Sequence, residues 1–224
     1  TAPGLRVPSA VLPRVLIAGL AGDTGKSLVS LGAARALSRR GLRVAPFKKG
    51  PDFIDAAWIG AAAGAPGRNL DTFLMSEETV LHSLARAAGE YQMAVIEGNR
   101  GLYDGLDPSG SHSTAQLALI TGTPVVLVVD VTKMTRTAAA LVKGCQALEP
   151  DLDLAGVVLN RVGTARQERV IRASIADATG LPVLGAIPRL GAQHLPDRHL
   201  GLVTSVEHPR VEEALEAVAD AVTE

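Results

Sequence analysis

Short apolar runs rich in β-branched residues recur along the chain: VLIAGL from Val15, RVAPF from Arg43, MAVIEG from Met93, PVVLVVD from Pro124, LAGVVLN from Leu154, PVLGAIP from Pro182 and LGLVTSV from Leu200. Longer amphipathic stretches separate them. Residues 26–40 put Leu28, Leu31, Ala34 and Leu37 near one helical face and stop at Gly41, a residue suited to the left-handed turn that ends a helix. The same logic predicts helices over 136–148, 165–179 and 209–222. Strand-like runs alternating with helical ones predict an α/β fold, a mostly parallel sheet with helices on both faces. In such folds functional residues gather where the strands end, at their carboxyl edge.

Composition narrows the picture modestly. With 224 residues, 47% of them hydrophobic, the chain can bury one sizeable core, so a single domain over 1–224 is expected. The net charge of −1 gives no bulk footprint for nucleic acid or membrane, and neither is expected as a partner. Cys145 is the one cysteine, which excludes an internal disulfide and a cysteine-rich metal cage. It suits a reducing cytoplasm, as does the lack of an apolar run long enough to span a membrane or of a signal-peptide core.

Chemistry first shows after VLIAGL. The turn AGDTGKSL, residues 21–28, links that strand to the helix beginning at Lys26, the strand–loop–helix context of a phosphate loop. There Gly22, Asp23, Thr24, Gly25, Lys26, Ser27 and Leu28 would bind nucleotide. Loop N–H groups and the positive helix end would cradle phosphate, Lys26 would reach the β and γ oxygens, and the Ser27 hydroxyl would ligate Mg²⁺. One position departs from the strict pattern: six residues before Lys26 stands Leu20, with Gly19 one place earlier.

Two further strand ends carry charge. FKKGPDFID places Lys48, Asp52 and Asp55 beyond the second strand, where Gly50-Pro51 makes a turn expected to present these side chains rather than bury them. Lys49 reads as a solvated neighbour of Lys48. MAVIEG ends in Glu97 and is followed by GNRGLYDG, with Asp104. An acidic residue directly after an apolar strand is where nucleotide-bound Mg²⁺ finds a protein carboxylate.

Taken in order, FKKGPDFIDAAW, RNLDTFLM, EGNRGLYDG, STAQLA, PVVLVVD, NRV and DRHLGLV resemble the cobyrinic acid a,c-diamide synthase family over about residues 14 to 208. The family is related to dethiobiotin synthetase. The resemblance implies ATP- and Mg²⁺-dependent amidation of corrin-ring carboxylates. ATP would phosphorylate a side-chain carboxylate of the macrocycle, and ammonia would displace phosphate to leave an amide. It implies Lys26 and Lys48 as neutralisers of phosphoryl charge, Mg²⁺ held by Ser27, Asp52 and Glu97, and Asp55 and Asp104 near the tetrapyrrole and the phosphorylated carboxylate. It implies Asn160 at the adenine, with Pro188 and Arg189 nearby. Ser113-Thr114 reads as a helix cap, with anion binding by its N–H groups as the alternative. Asp130 either touches substrate or caps. His82, His112, His194, His199 and His208 lack metal-ligand spacing.

The resemblance also implies a class I glutaminase domain that supplies ammonia; the 224 residues hold none, and Cys145 has no nearby His to replace its nucleophile. The nitrogen source is therefore expected to be a separate glutaminase domain or free ammonia. Asn99-Arg100 stand where the family usually has two apolar residues. That leaves the choice among cobyrinic acid, hydrogenobyrinic acid, nickel sirohydrochlorin and sirohaem open. A homodimer is expected. A partitioning-type regulatory ATPase fits less well: residues 20–24, LAGDT, lack an early second lysine, and 211–224 carry no Lys or Arg.

Overall fold

A computed structural model describes residues 12–189, Ser205 and 210–223. The elements run β1 (Arg14–Gly19), α1 (Lys26–Arg39), β2 (Val44–Lys49), α2 (Phe53–Ala63), β3 (Arg68–Leu70), α3 (Glu77–Ala88), β4 (Met93–Glu97), α4 (Thr114–Thr121), β5 (Val125–Asp130), α5 (Thr137–Leu148), β6 (Leu154–Val162), α6 (Ala165–Thr179), β7 (Val183–Pro188) and α7 (Val211–Thr223). The strands form one sheet in the order β3-β2-β4-β1-β5-β6-β7, and each neighbouring pair is parallel. Six of the seven apolar runs are strands. The seventh, LGLVTSV, lies outside the described residues apart from Ser205, which sits in a turn. β3 carries no apolar pattern because it is only RNL, three residues on the sheet's edge.

The pleat sorts the strand residues between two apolar layers. Leu16 and Ala18 of β1, Ala94 and Ile96 of β4, and Leu127 and Val129 of β5 face the layer packed by α3, α4, α5 and α6. Ile17, Val95, Val126 and Val128 face the layer packed by α1, α2 and α7. By the same alternation, Ala45 and Phe47 of β2 belong to the first layer and Val44 to the second. The last residues of β2 and β4 inherit those faces, which fixes where their charges go.

α1 ends as its sequence predicts. Gly41 takes φ +83°, the Gly41 N–H bonds the Ser38 carbonyl at 2.9 Å and the Leu42 N–H reaches the Leu37 carbonyl at 3.3 Å. That is a Schellman closure, satisfying carbonyls the helix leaves open. α7 lies close on α1: a Cβ at Gly32 would stand 2.5 Å from the Val218 carbonyl oxygen, so only glycine allows this approach. Arg35 pairs with Glu212 at 2.5 Å and Glu216 at 2.6 Å, and Arg39 with Asp220 at 2.7 Å, along the exposed side of the contact. Among the described residues no helix is long and apolar enough to cross a membrane.

Candidate active site

β1 delivers the chain to the carboxyl edge of the sheet at Gly19, and the loop to α1 follows. Gly19 supplies the glycine that the strict motif places one residue later. A Cβ there would lie 2.1 Å from the Thr24 hydroxyl oxygen and 3.0 Å from Lys26 Cγ. Asp23 and Gly25 both adopt left-handed backbone, φ +56° and +97°. α2, α3, α4 and α6 are capped by the side chains of Asp52, Ser76, Ser113 and Thr164, whereas α1 begins at Gly25 with no side-chain cap. The first N–H groups of α1 are thus open to an anion, and the helix dipole favours one. Lys26 is buried and its ammonium donates to the Ala21 carbonyl at 3.1 Å, across the base of the loop. Burial pushes its pKa down, while the Glu97 carboxylate pulls the other way.

Lys48 and Glu97 are register partners at the ends of β2 and β4. Both face the α1/α2 layer, where Ser27 at the start of α1 and Asp55 in the first turn of α2 meet them. The Ser27 hydroxyl donates to Glu97 Oε1 at 2.7 Å. Lys48 Nζ bonds Glu97 Oε1 at 3.2 Å, Asp55 Oδ2 at 2.6 Å and the Gly98 carbonyl at 3.1 Å, so its three donors have three acceptors. Lys48 is 2% exposed and Glu97 1%, which corrects the expectation that the Gly50-Pro51 turn would present Lys48 to solvent. The turn does expose Asp52. Burial alone would lower the Lys48 pKa, but Glu97 and Asp55 outweigh it and raise it above the ordinary lysine value. Burial pushes the Glu97 carboxyl up against the pull of the Lys48 ammonium. Each buried ion costs several kcal/mol by itself, so the three charges depend on one another.

Lys49, one residue on, faces the opposite layer. It is buried, and its ammonium donates to the His112 carbonyl at 2.5 Å, so it is not the solvated neighbour its sequence suggests. The tether holds the loop between β4 and α4. That loop is also tied to the phosphate loop, because the Leu102 N–H donates to the Gly19 carbonyl at 2.7 Å. Asp104 is exposed and closes a turn in it, Oδ2 accepting from the Gly101 N–H at 2.9 Å. Ser113 caps α4 as expected, accepting from the Gln116 N–H at 3.2 Å.

The structure therefore brings together Lys26, Ser27, Lys48, Asp55 and Glu97. Asp52 at the start of α2 caps that helix through Oδ1, which accepts from the Ile54 and Asp55 N–H groups at 2.9 and 3.1 Å. Asn160, near the end of β6, is buried, and its Nδ2 donates to the Thr24 carbonyl at 2.8 Å, a contact with the phosphate loop that sequence reasoning missed. Pro188 pairs in register with Val162, and the Arg189 N–H donates to the Val162 carbonyl at 2.9 Å, which sets both exposed residues beside the end of Asn160's strand. Asp130 accepts from the Thr132 N–H at 2.8 Å and pairs with Arg161, and it caps no described helix. Cys145 is buried in α5. Among the described residues no group of three or more His, Cys, Asp and Glu side chains is arranged to hold a metal.

Residues 15–202 match the family described as the CobQ/CobB/MinD/ParA nucleotide binding domain. The cobyrinate a,c-diamide synthase of Archaeoglobus fulgidus is 42% identical over 212 residues, 94% of this chain and 46% of that protein. The hydrogenobyrinate a,c-diamide synthase of Rhodobacter capsulatus is 48% identical over 207 residues, 91% of this chain and 47% of that protein. The chain thus spans about half the length of the curated relatives it matches. Among solved structures, the septum site-determining protein MinD of Pyrococcus horikoshii, complexed with Mg-ADP, superposes with a TM-score of 0.56 at 18% identity, covering 95% of this chain and 96% of that one. At that identity the likeness speaks for the fold. Because the family match starts in β1 and runs past β7, the last strand among the described residues, the chain belongs to the CobQ/CobB/MinD/ParA nucleotide-binding domain family.

Proposed function

We propose that this chain is the ATP-dependent synthetase part of a corrin a,c-diamide synthase. It would amidate the a and c side-chain carboxylates of cobyrinic or hydrogenobyrinic acid in cobalamin biosynthesis. The observation that carries the reading is the buried Lys48, clamped by Glu97 and Asp55 beside Ser27, at the sheet edge where the uncapped α1 opens.

In the reaction, a substrate carboxylate oxygen attacks the γ-phosphorus and ADP departs. Ammonia then attacks the acyl carbon, phosphate leaves, and the nitrogen loses a proton to become the amide. This chemistry asks the protein for position and for positive charge where negative charge develops. The N–H groups of Gly22 to Leu28 would hold the phosphates, with Lys26 exchanging the Ala21 carbonyl for a phosphate oxygen. Lys48, kept protonated by its two carboxylates, would face the transferring group. Asp55 and Asp104 would lie toward the macrocycle, and Asn160, Pro188 and Arg189 toward the adenine.

Mg²⁺ fits the donor set. Ser27 and Glu97 offer oxygens already 2.7 Å apart, and Mg²⁺ commonly takes one or two protein carboxylates with phosphate and water completing its shell. Asp52 is the further candidate, through the carboxylate oxygen that does not cap α2. When bound, the ion would neutralise phosphate charge.

The test uses the purified chain with ATP, Mg²⁺, a cobyrinic-type acid and an ammonium salt. Mass spectrometry of the tetrapyrrole should show each hydroxyl replaced by an amino group. The rate should rise with pH as the share of uncharged ammonia grows. Glutamine should substitute only when a glutaminase domain is added. No mass change despite bound ATP and macrocycle would overturn the reading. Light scattering checks the homodimer that accompanies it.

A further inference from the structure

We propose that Asn160 is a positioning residue for the phosphate loop, fixing the Thr24–Gly25 peptide so that phosphate affinity depends on it whatever base the nucleotide carries. This rests on the nucleotide-binding reading of the same loop. The Asn160 carboxamide crosses 136 positions of sequence to reach that peptide, with Nδ2 2.8 Å from the Thr24 carbonyl oxygen. A peptide group is planar, and its C=O and N–H point in opposite directions. Holding the Thr24 oxygen against Asn160 therefore aims the Gly25 N–H away from it, and that N–H is among those the uncapped start of α1 leaves open. Gly25 makes the contact sterically feasible. A Cβ there would lie 2.1 Å from Asn160 Nδ2 and 3.1 Å from its Cγ, so any side chain would push the carboxamide off the loop.

Asn160 is itself held from both sides. Its Oδ1 accepts from the Arg161 N–H at 2.9 Å, and its backbone carbonyl accepts from the Val131 N–H at 3.0 Å. Arg161 adopts φ +61° inside β6, where the register with β7 shifts between Leu159 and Val162. The ion pair of Arg161 with Asp130 ties that irregularity to the end of β5. A residue such as Arg is strained in the left-handed region and stays there only when its surroundings impose it. The bulge, the ion pair and the carboxamide together form a bracket from β5 through β6 to the loop. With one Nδ2 hydrogen and Oδ1 already committed, the side chain keeps one donor and one lone pair for a base.

Calorimetry with Mg-ATP and with Mg-tripolyphosphate, which has no base, separates the roles in wild type, Asn160→Ala and Asn160→Asp. Asn160→Asp keeps the shape and removes the donor, so it serves if the alanine variant folds poorly. Tripolyphosphate should weaken roughly tenfold, as for one buried hydrogen bond, and ATP by at least as much. Weakening of ATP alone would make Asn160 a base reader and overturn the proposal. Hydrogen exchange on the ligand-free proteins supplies the second readout. The Gly25 to Ser27 amides should exchange faster in the variants, with β4 and β5 unchanged; unchanged loop exchange would also overturn it. Should wild type bind neither phosphate compound, the nucleotide reading falls, and the exchange result still decides whether Asn160 holds the loop.

Discussion

Lys48 and Lys49 are adjacent, and both are buried, at 2% and 8% exposure, yet their charges are compensated very differently. Lys48 lies on the α1/α2 face between two carboxylates, and its pKa is raised. Lys49 lies on the α3/α4 face with a carbonyl as its hydrogen-bond partner, and burial lowers its pKa despite some help from Asp71. Nothing in residue type separates them. The pleat sends one toward the helix that begins at the phosphate loop and the other beneath the loop that precedes α4. A lysine compensated by two carboxylates stays charged and can meet a phosphoryl group, whereas one bonded to a carbonyl tethers backbone.

The comparison predicts its largest effect at Lys48. Replacing it by Met leaves Glu97 buried without its cation, which should cost about 3–5 kcal/mol at neutral pH and abolish the proposed phosphoryl transfer. The sign with pH follows from Glu97. Its folded pKa is already raised above the ordinary 4.5 and climbs further without Lys48. The penalty is thus absent below the unfolded pKa and grows as pH rises toward the folded one. Urea denaturation should find Lys48→Met closest to wild type in acid. An equal deficit at acid and neutral pH would mean that Glu97 does not need Lys48.

Glu97→Gln comes next. The carboxamide oxygen it introduces would still accept from Ser27, and Asp55 remains for Lys48, so the fold should change little. The Mg²⁺ concentration needed for ATP turnover should nevertheless rise roughly tenfold, the lower end of the range by which ligand-shell changes alter metal affinity. A fold change without a shift in the Mg²⁺ curve would make Glu97 only the counter-ion of Lys48 and remove it from the proposed metal site.

How much of this was legible beforehand depended on sequence distance. The strands were readable because parallel strands covered on both faces appear as apolar runs, and the end of α1 because Gly41 marks it. β3 offers three residues and no pattern. Lys48, Asp55 and Glu97 could be picked as charges at strand ends, but the depth of Lys48 could not. It arises from α1 and α2 closing over β2, a tertiary event that the Gly50-Pro51 turn does not foretell. The side on which Lys49 falls was countable: it shares parity with Phe47, a fully buried residue of the other layer. The bond from Asn160 to Thr24 leaves no local trace, since its partners are brought together only when β6 is laid beside β5 and β5 beside β1.

The smallest predicted effect is the sharpest test of the pair. Lys49→Met removes one hydrogen bond to the His112 carbonyl and one poorly compensated charge, terms of opposite sign, so the net loss at neutral pH should be about 1 kcal/mol or less. The pH slopes should differ from those at Lys48. The folded pKa of Lys49 lies below 10.5, so the cost of its buried charge is full below that folded value and lifts as pH climbs toward the unfolded one. Wild type should therefore gain on Lys49→Met between about pH 8 and about pH 10, the range that approaches the unfolded lysine pKa. For Lys48 the folded pKa lies above 10.5; its contribution is full below the unfolded value and lost only as pH rises through the folded one. Across the same interval the gap between wild type and Lys48→Met should hold steady and close only above it. Denaturation curves for both variants at the two pH values decide the matter. If the advantage over Lys49→Met shrank instead of growing, Lys49 would be a paired lysine like its neighbour, and the division of labour across the pleat would fail.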